Sequence, residues 1–414
     1  MKRIAMIVTD VALPGEKGLG RMYYLAELFC KSGYEVELIT SRFQHWQKQD
    51  RTGESMEAAQ KQAACSLTFL PEPGYTKNVQ IRRILSRRVL RRGILAHLKE
   101  NTYDLVYCQI PDNALAAGVG AWARGAGIPF LVDIEDLWPE AMRMVLDIPL
   151  VSDVLFSGFR MDAKKTYRLA DGVVGSSDTY RDEPLKYGVR VPKSVTVYVG
   201  SDIAAFDEGV REYGQQVEKP EGEFWVTYAG TLGTSYDIAT LIRAADILAR
   251  QGRKELRVML LGDGPLRGEL ETLAAELSGN VTFLGYVPHG RMAAYLAKSD
   301  VTVNSLVSRA AQSIVSKIGD YLASGRPMVN TGLDPEFRKL VETENFGVNV
   351  LPEDPEALAR VIAERMDDPQ GCLAMGSAAR KLAQEEFDRE TTYPRIIRLA
   401  AELMSAGAAA REGV

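Results

Sequence analysis

The stretch Ser313-Ile-Val-Ser-Lys-Ile-Gly-Asp-Tyr-Leu-Ala-Ser-Gly-Arg-Pro-Met-Val-Asn-Thr331 decides how this chain is read. It spells a short loop, one helix, a glycine stop and a buried strand. Ser316 stands where an N-cap is wanted, Gly325 ends the helix, and Pro327 prevents its continuation. A helix N-terminus offers free backbone N–H groups and the positive end of the helix dipole, so it favours an anion. Lys317 in that first turn opposes the dipole unless an anion lies between them. Asp320, one turn later, is placed to accept hydrogen bonds from hydroxyl groups. The stretch reads as a seat for a phosphorylated sugar or nucleotide. The competing reading is a helix that only covers a sheet.

Working outward, short apolar runs alternate with helical periodicity along the whole chain, the pattern of βαβ units in parallel sheets. In the first half the strands are Ile4–Val8, Glu35–Thr40, Ser66–Leu70, Leu105–Gln109, Phe130–Asp133, Val173–Ser176 and Thr196–Val199. A second series runs Trp225–Ala229, Arg257–Leu261, Val281–Leu284, Val301–Asn304, Met328–Thr331 and Gly347–Val350. With 414 residues, two domains are expected rather than one core. Boundaries are placed at 1–202, a linker at 203–222 that is acidic and irregular, a second domain at 223–386, and a C-terminal segment at 387–414. Ser41–Ala64, polar and without periodicity, reads as a mobile loop.

Composition excludes several classes. A net charge of −5 argues against a nucleic-acid binder. Cys30, Cys65, Cys108 and Cys372 are far apart with no C-x-x-C pair, which indicates neither a zinc site nor a disulfide framework. Only His45, His97 and His289 occur, so a histidine-rich metal centre is excluded and no metal is expected. No apolar run reaches the ~18–20 residues of a membrane span, and the N-terminus enters a strand without the layout of a signal peptide. The expected location is cytoplasmic, peripheral on the inner face of the cell membrane.

That last expectation rests on Lys77–Lys99. Lys77, Arg82, Arg83, Arg87, Arg88, Arg91, Arg92 and Lys99 stand there without one acidic residue, while Ile81, Ile84, Leu85, Val89, Leu90 and Ile94 recur at helical spacing. A cationic face beside an apolar stripe suits an anionic membrane surface; a solvated face of a core helix is the plainer alternative.

Several loops carry candidate chemistry. Pro14, Gly15, Gly18 and Gly20 follow the first strand and let a ligand approach the backbone, although G-x-G-x-x-G is absent. Asp133, Glu135, Asp136 and Glu140 follow a buried strand at its C-terminal end, where open α/β sheets bind ligands, and are candidates to orient sugar hydroxyls or transfer protons. In the second half, Gly230-Thr-Leu-Gly-Thr-Ser235 leads into a helix near Tyr236, and Gly262-Asp-Gly-Pro265 into a helix with Pro265 at its first position. Three helix N-termini converging on one sheet edge make a better anion site than any one alone.

Gly262-Asp-Gly-Pro265, Phe283-Leu-Gly285, Asp320-Tyr-Leu-Ala-Ser-Gly-Arg-Pro327, Ser316-Lys317 and Asp136-Leu137-Trp138-Pro139 together resemble GT-B glycosyltransferases of family 4, in particular the group 1 type that builds bacterial cell-surface polysaccharides. The resemblance implies an α/β fold of two Rossmann-like domains with parallel sheets facing across a cleft, and a C-terminal helix over Phe387–Ser405 that crosses back onto the first domain. It implies a sugar nucleotide held mainly by the second domain, UDP more than GDP, with no tightly bound cofactor. The family's Glu-x7-Glu pair falls on Gln312 and Asp320; Asp320 inherits the ribose role, and Gln312 carries no charge. Ser313 and Ser316 lie within that segment. Tyr286-Val287 stand where the base stacks, and Gly18 and Gly20 match the glycine-rich first loop. Gly230, Thr231, Gly262, Asp263 and Gly264 line the donor loops. Thr231 and Asp237 occupy the places of the family's usual Arg and Lys, so phosphate neutralisation passes to Lys317, with Arg309 second. Glu135-Asp136 stand where many relatives have His-Asp.

The implied reaction is retaining transfer of a sugar from a nucleotide to a hydroxyl of a lipid-linked or oligosaccharide acceptor, with Lys317, Glu135 and Asp136 as catalytic candidates. Two readings compete. One is a decayed GT-B protein serving as partner subunit or sugar-nucleotide sensor. The other is a UDP-N-acetylglucosamine 2-epimerase, which needs more acidic and histidine groups than three scattered histidines supply.

Overall fold

The structure, a computed structural model, describes residues 1–14, 16, 20–76, 80–137, 151–277, 279–310 and 314–412. The chain forms two compact units: Met1–Val197 with Tyr393–Val414, and Tyr198–Thr392.

The first unit is built on β1 (Arg3–Ile7), β2 (Glu35–Ser41), a two-stranded hairpin β3 (Phe43–Gln44) and β4 (Gln49–Asp50), β5 (Ser66–Leu70), β6 (Leu105–Ile110), β7 (Phe130–Ile134), β8 (Gly172–Gly175) and β9 (Lys193–Thr196). Seven of these make one sheet in the order β5-β2-β1-β6-β7-β8-β9, every pairing parallel. Ile4, Ala5, Met6 and Ile7 are wholly buried, as a strand covered on both faces must be, and that is why the run is apolar without alternation. The order reverses between β1 and β6, the switch point where such sheets receive ligands. The helix Pro394–Glu412 belongs to this unit. Tyr393, Ile396, Leu399, Ala400, Leu403 and Met404 share a core with Met22, Leu25 and Phe29, and Tyr24 meets the Tyr393 ring edge-on at 5.6 Å.

The second unit holds β10 (Phe224–Ala229), β11 (Leu256–Leu261), β12 (Val281–Gly285), β13 (Val301–Asn304), β14 (Met328–Asn330) and β15 (Gly347–Asn349) in the order β12-β11-β10-β13-β14-β15, again all parallel. Its switch point lies between β10 and β13.

Two segments depart from expectation. Ser41–Ala64 is not a loop: it carries the β3–β4 hairpin and a helix over Gly53–Gln62, with Thr52 Oγ1 capping Ser55 N at 3.1 Å. Arg51, 5% exposed, ties the hairpin down by donating to Glu16, to Ser41 O and to Val11 O. The acidic span 203–222 begins with a helix, Ile203–Tyr213, capped by Asp202 and burying Ile203, Phe206 and Gly209. Two buried apolar side chains and one cap outweigh its polar composition. The last strand of the first unit also ends earlier than expected, at Thr196, and Val197 enters the core.

Candidate functional site

At the switch point of the second unit, three loops meet. Gly230 follows β10 with φ +155, and a side chain there would strike Lys317 Nζ. Gly262 follows β11 with φ +136, and a Cβ there would lie 1.8 Å from Gly230 O, so only glycine permits the approach. Gly262 N in turn donates to Gly285 O at the end of β12, 2.7 Å away, which brings Tyr286 and Val287 beside these turns. Tyr286 is 64% exposed, whereas Val287 packs on the core.

Lys317 closes this group. Its Nζ donates to Tyr228 Oη at 2.9 Å and sits 4.2 Å and 3.8 Å from the ring centres of Tyr228 and Tyr236. Tyr228 Oη then donates to Thr231 O at 2.8 Å. Among the described residues no carboxylate pairs with Lys317, and burial pushes its ammonium well below the ordinary lysine range. Two ring faces offset part of that desolvation, but a neighbouring anion would offset more.

The anion seat differs in detail from expectation. The helix after the loop runs only Ile318–Ala323, with Lys317 at the N-cap position, so Ser316 lies in the preceding turn and caps nothing. The helix after Gly262–Pro265 starts at Arg267, two residues beyond Pro265. Its loop donors are spent inside the protein: Gly264 N on Asp263 Oδ1, Leu266 N on Leu232 O, and Arg267 N on Gly264 O. The helix expected near Tyr236 starts at Ile238, capped by Asp237. Asp237 also accepts from Glu353 N at 2.8 Å, so it is a structural cap where a cation was wanted. Arg309 is exposed and donates to Thr234 O at 2.8 Å, at the rim of the Gly230 loop.

Asp320 is not an isolated carboxylate. Its Oδ1 takes a hydrogen bond from Ser201 Oγ and lies 2.9 Å from His289 Nε2. Nothing in the sequence linked these three positions; a histidine opening the helix after β12 is the only signal that could have.

In the first unit the carboxylates after β7 are drawn into a buried network. Asp133, fully buried, lies 3.1 Å from Arg21 Nη2 and accepts from the Tyr107 hydroxyl. Glu135 pairs with Arg21 Nη1 at 2.9 Å and accepts from Gln109. Arg21 itself, 1% exposed, opens the helix Arg21–Lys31 behind Gly20 and faces the Tyr393 ring. Burial pushes the Asp133 carboxyl up against the pull of Arg21, and Glu135 adds to the rise. Asp133 and Glu135 are therefore both ion-paired with Arg21. Asp136 is partly buried at the mouth of the same loop. Gly20 has φ −79 and open space where a Cβ would stand. Gly15, Gly18, Lys77, Trp138, Pro139, Glu140, Gln312 and Ser313 lie outside the described residues.

The basic helix spans Ile81–Glu100 and is two-sided rather than simply amphipathic. Leu90, Ile94 and Leu98 are buried, with Ser86, while Ile84, Leu85 and Val89 are 43–53% exposed among exposed Arg82, Arg88 and Arg92. Arg87 is not unopposed: it lies 2.6 Å from Asp10 and 3.7 Å from Glu72.

Among the described residues, no group of three or more His, Cys, Asp or Glu is placed to hold a metal ion, and no helix is long and apolar enough to cross a membrane.

Residues 20–200 match the model of the glycosyl transferase 4-like domain, and residues 223–368 that of the glycosyl transferases group 1. The chain belongs to the family 4 glycosyltransferases. One relative of this glycosyltransferase is the GDP-mannose-dependent monoacylated alpha-(1-6)-phosphatidylinositol monomannoside mannosyltransferase of Corynebacterium glutamicum, 28% identical over 150 residues, 35% of this chain and 38% of that one. Another is the putative colanic acid biosynthesis glycosyl transferase WcaI of Escherichia coli K12, 25% identical over 235 residues, 55% of this chain and 56% of the relative. The chain thus spans about two-fifths to just over half the length of these curated relatives. Among solved structures, Anabaena Alr3699/HepE in complex with UDP superposes with a TM-score of 0.71 at 17% identity, covering 97% of this chain and all of that one. That likeness carries the GT-B fold: two Rossmann-like units with parallel sheets.

Proposed function

We propose that this glycosyltransferase transfers a sugar, with retention of configuration, from a nucleoside diphosphate sugar to a hydroxyl of a lipid-linked or oligosaccharide acceptor in surface polysaccharide or glycoconjugate synthesis. The observation that carries the reading is Lys317, a desolvated ammonium set against Gly230 between two tyrosine rings, with no carboxylate beside it among the described residues. A diphosphate leaving group supplies the missing anion, and a preorganised cation there stabilises the charge that develops as the glycosidic bond breaks. Asp320 is assigned to the ribose, Tyr286 and Val287 to the base, and the Gly230–Thr231 and Gly262–Gly264 turns to the approach of the diphosphate. Gln312, Ser313 and Ser316 complete the donor segment. On the acceptor side Asp136 is assigned to the hydroxyl, with Glu135 held by Arg21. UDP is favoured as the nucleotide by the ligand of the Anabaena structure; the GDP-mannose of the corynebacterial relative keeps GDP in the test.

The first unit carries the acceptor side and docks on an anionic membrane surface. Ile84, Leu85 and Val89 stand exposed between Arg82, Arg88 and Arg92, so apolar contact and headgroup attraction act from one helix face.

The test is nucleotide release from UDP- and GDP-sugars, with and without a polyprenyl-diphosphate saccharide. Acceptor-dependent release that Lys317→Ala lowers on the order of 100-fold is the expected result. Binding of nucleotide without turnover, unchanged in Lys317→Ala, would replace this reading with a partner subunit or sensor.

A further inference from the structure

Asp320 is held by two residues from elsewhere in the second unit. His289 opens the helix His289–Lys298 after β12, and Ser201 lies ahead of the helix Ile203–Tyr213. Both reach the same oxygen: Ser201 Oγ donates to Oδ1, and His289 Nε2 lies 2.9 Å from it. Among the described residues Oδ2 has no hydrogen-bond partner. The carboxylate is only 17% exposed, while the imidazole is 46% exposed. Each carboxylate oxygen offers about two lone pairs, so two donors saturate Oδ1 and leave Oδ2 for a diol. A short, mostly buried side chain fixed by two bonds also has little rotamer freedom left to lose when a ligand binds.

We infer that His289 is a positioning residue for the nucleotide sugar: by holding Oδ1 of Asp320 it turns Oδ2 toward the ribose hydroxyls of the donor. This rests on the assignment of Asp320 to the ribose. His289 does not touch the sugar; it acts through Asp320, and Ser201 shares that work. The groups that bear on the imidazole are Asp320 from the helix Ile318–Ala323, Asp202 and Arg389, with the Phe206 ring at 6.5 Å. The hydrogen bond to Asp320 raises the imidazole above its ordinary 6.5, the negative charges of Asp320 and Asp202 add to the rise, and burial and Arg389 oppose it. The charge-assisted bond is therefore complete below the ordinary 6.5 and weakens as pH climbs through the raised value. Donor binding follows the same course.

The experiment measures binding of UDP and of GDP by calorimetry between pH 6 and 8.5, using the full chain as wild type, His289→Ala, His289→Gln and Asp320→Ala, each first checked by thermal unfolding. The nucleotide that wild type binds more tightly is then followed. His289→Ala is expected to weaken it about tenfold at pH 6.5, the scale of one hydrogen bond to a charged group, and to show a shallower fall in affinity toward pH 8.5 than wild type. His289→Gln keeps an N–H donor but cannot titrate, so it is expected to recover most of the affinity with a shallower pH profile than wild type, the remaining slope being that of Lys317. The inference is overturned if His289→Ala matches wild type in affinity and pH profile while Asp320→Ala binds weakly. If Asp320→Ala itself binds as wild type does, or wild type binds neither nucleotide, the ribose assignment falls and this inference falls with it.

Discussion

Arg21 in the first unit and Lys317 in the second are both cations taken largely out of water, and the protein treats them in opposite ways. Arg21 is met by Asp133 at 3.1 Å and Glu135 at 2.9 Å, with the Tyr393 ring beside it. Lys317 is met by two tyrosine rings and one phenolic oxygen. A buried cation whose charge is balanced within the chain belongs to the architecture, since ligand could add little to it. A desolvated cation left beside aromatic faces stores a deficit that an anion can fill. Under the proposed function, Arg21 is a charge that builds the fold and Lys317 a charge that binds.

The sharpest way to break this contrast is to delete the balanced cation. Arg21→Met leaves Asp133 buried beside Glu135 without compensation and should cost about 3–5 kcal/mol of stability, read by denaturant unfolding; Arg21→Met with Asp133→Leu should recover much of the loss. If the single variant unfolds within 1 kcal/mol of wild type, the network is not structural. Deleting the other cation should do the reverse. Lys317→Ala should lower sugar transfer on the order of 100-fold, with thermal stability unchanged or slightly raised because a desolvated ammonium is gone. A comparable loss of stability would make the two sites alike.

A third test reads the deficit directly. The folded protein holds the Lys317 proton less tightly than the ordinary 10.5, so between its lowered value and 10.5 the unfolded chain carries more protons. In that window stability rises with pH. Nucleotide binding in the same window should take up a proton and weaken as pH increases, seen as a buffer-dependent calorimetric enthalpy that Lys317→Met removes. The smallest effect expected is at the membrane. Arg88→Gln should weaken binding to phosphatidylserine vesicles by about 1 kcal/mol at low salt, and Leu85→Glu by more, whereas no wild-type binding to such vesicles would end the docking proposal.

Most of the fold was legible because fully buried parallel strands must be continuous apolar runs: the strands at 4–8, 35–40, 225–229 and 301–304 lie within a residue or two of their expected ends. What escaped depends on distant partners. The helix Gly53–Gln62 follows a hairpin anchored by Arg51 to Glu16 and Val11, contacts that no local window contains. Within the candidate site, Lys317 and the close-packed glycines at 230 and 262 could be read from loop position and residue type. Asp320 is legible from its motif, but its partners His289 and Ser201 are not, because they lie 31 and 119 residues away in sequence. The arginines of Ile81–Glu100 looked uniform in sequence; only the packing shows that Arg87 serves Asp10 while Arg82, Arg88 and Arg92 face solvent.

The helix Pro394–Glu412 also sets a schedule for synthesis. Tyr393, Ile396, Leu399 and Leu403 complete a core that the first strands and helices begin, yet all of Tyr198–Thr392 is made in between. On a ribosome adding about 5–20 residues per second, the first unit waits on the order of tens of seconds with that apolar face uncovered. During that interval the nascent chain is an open invitation to chaperones, and a chain stopped short of residue 393 would keep its first unit permanently unfinished.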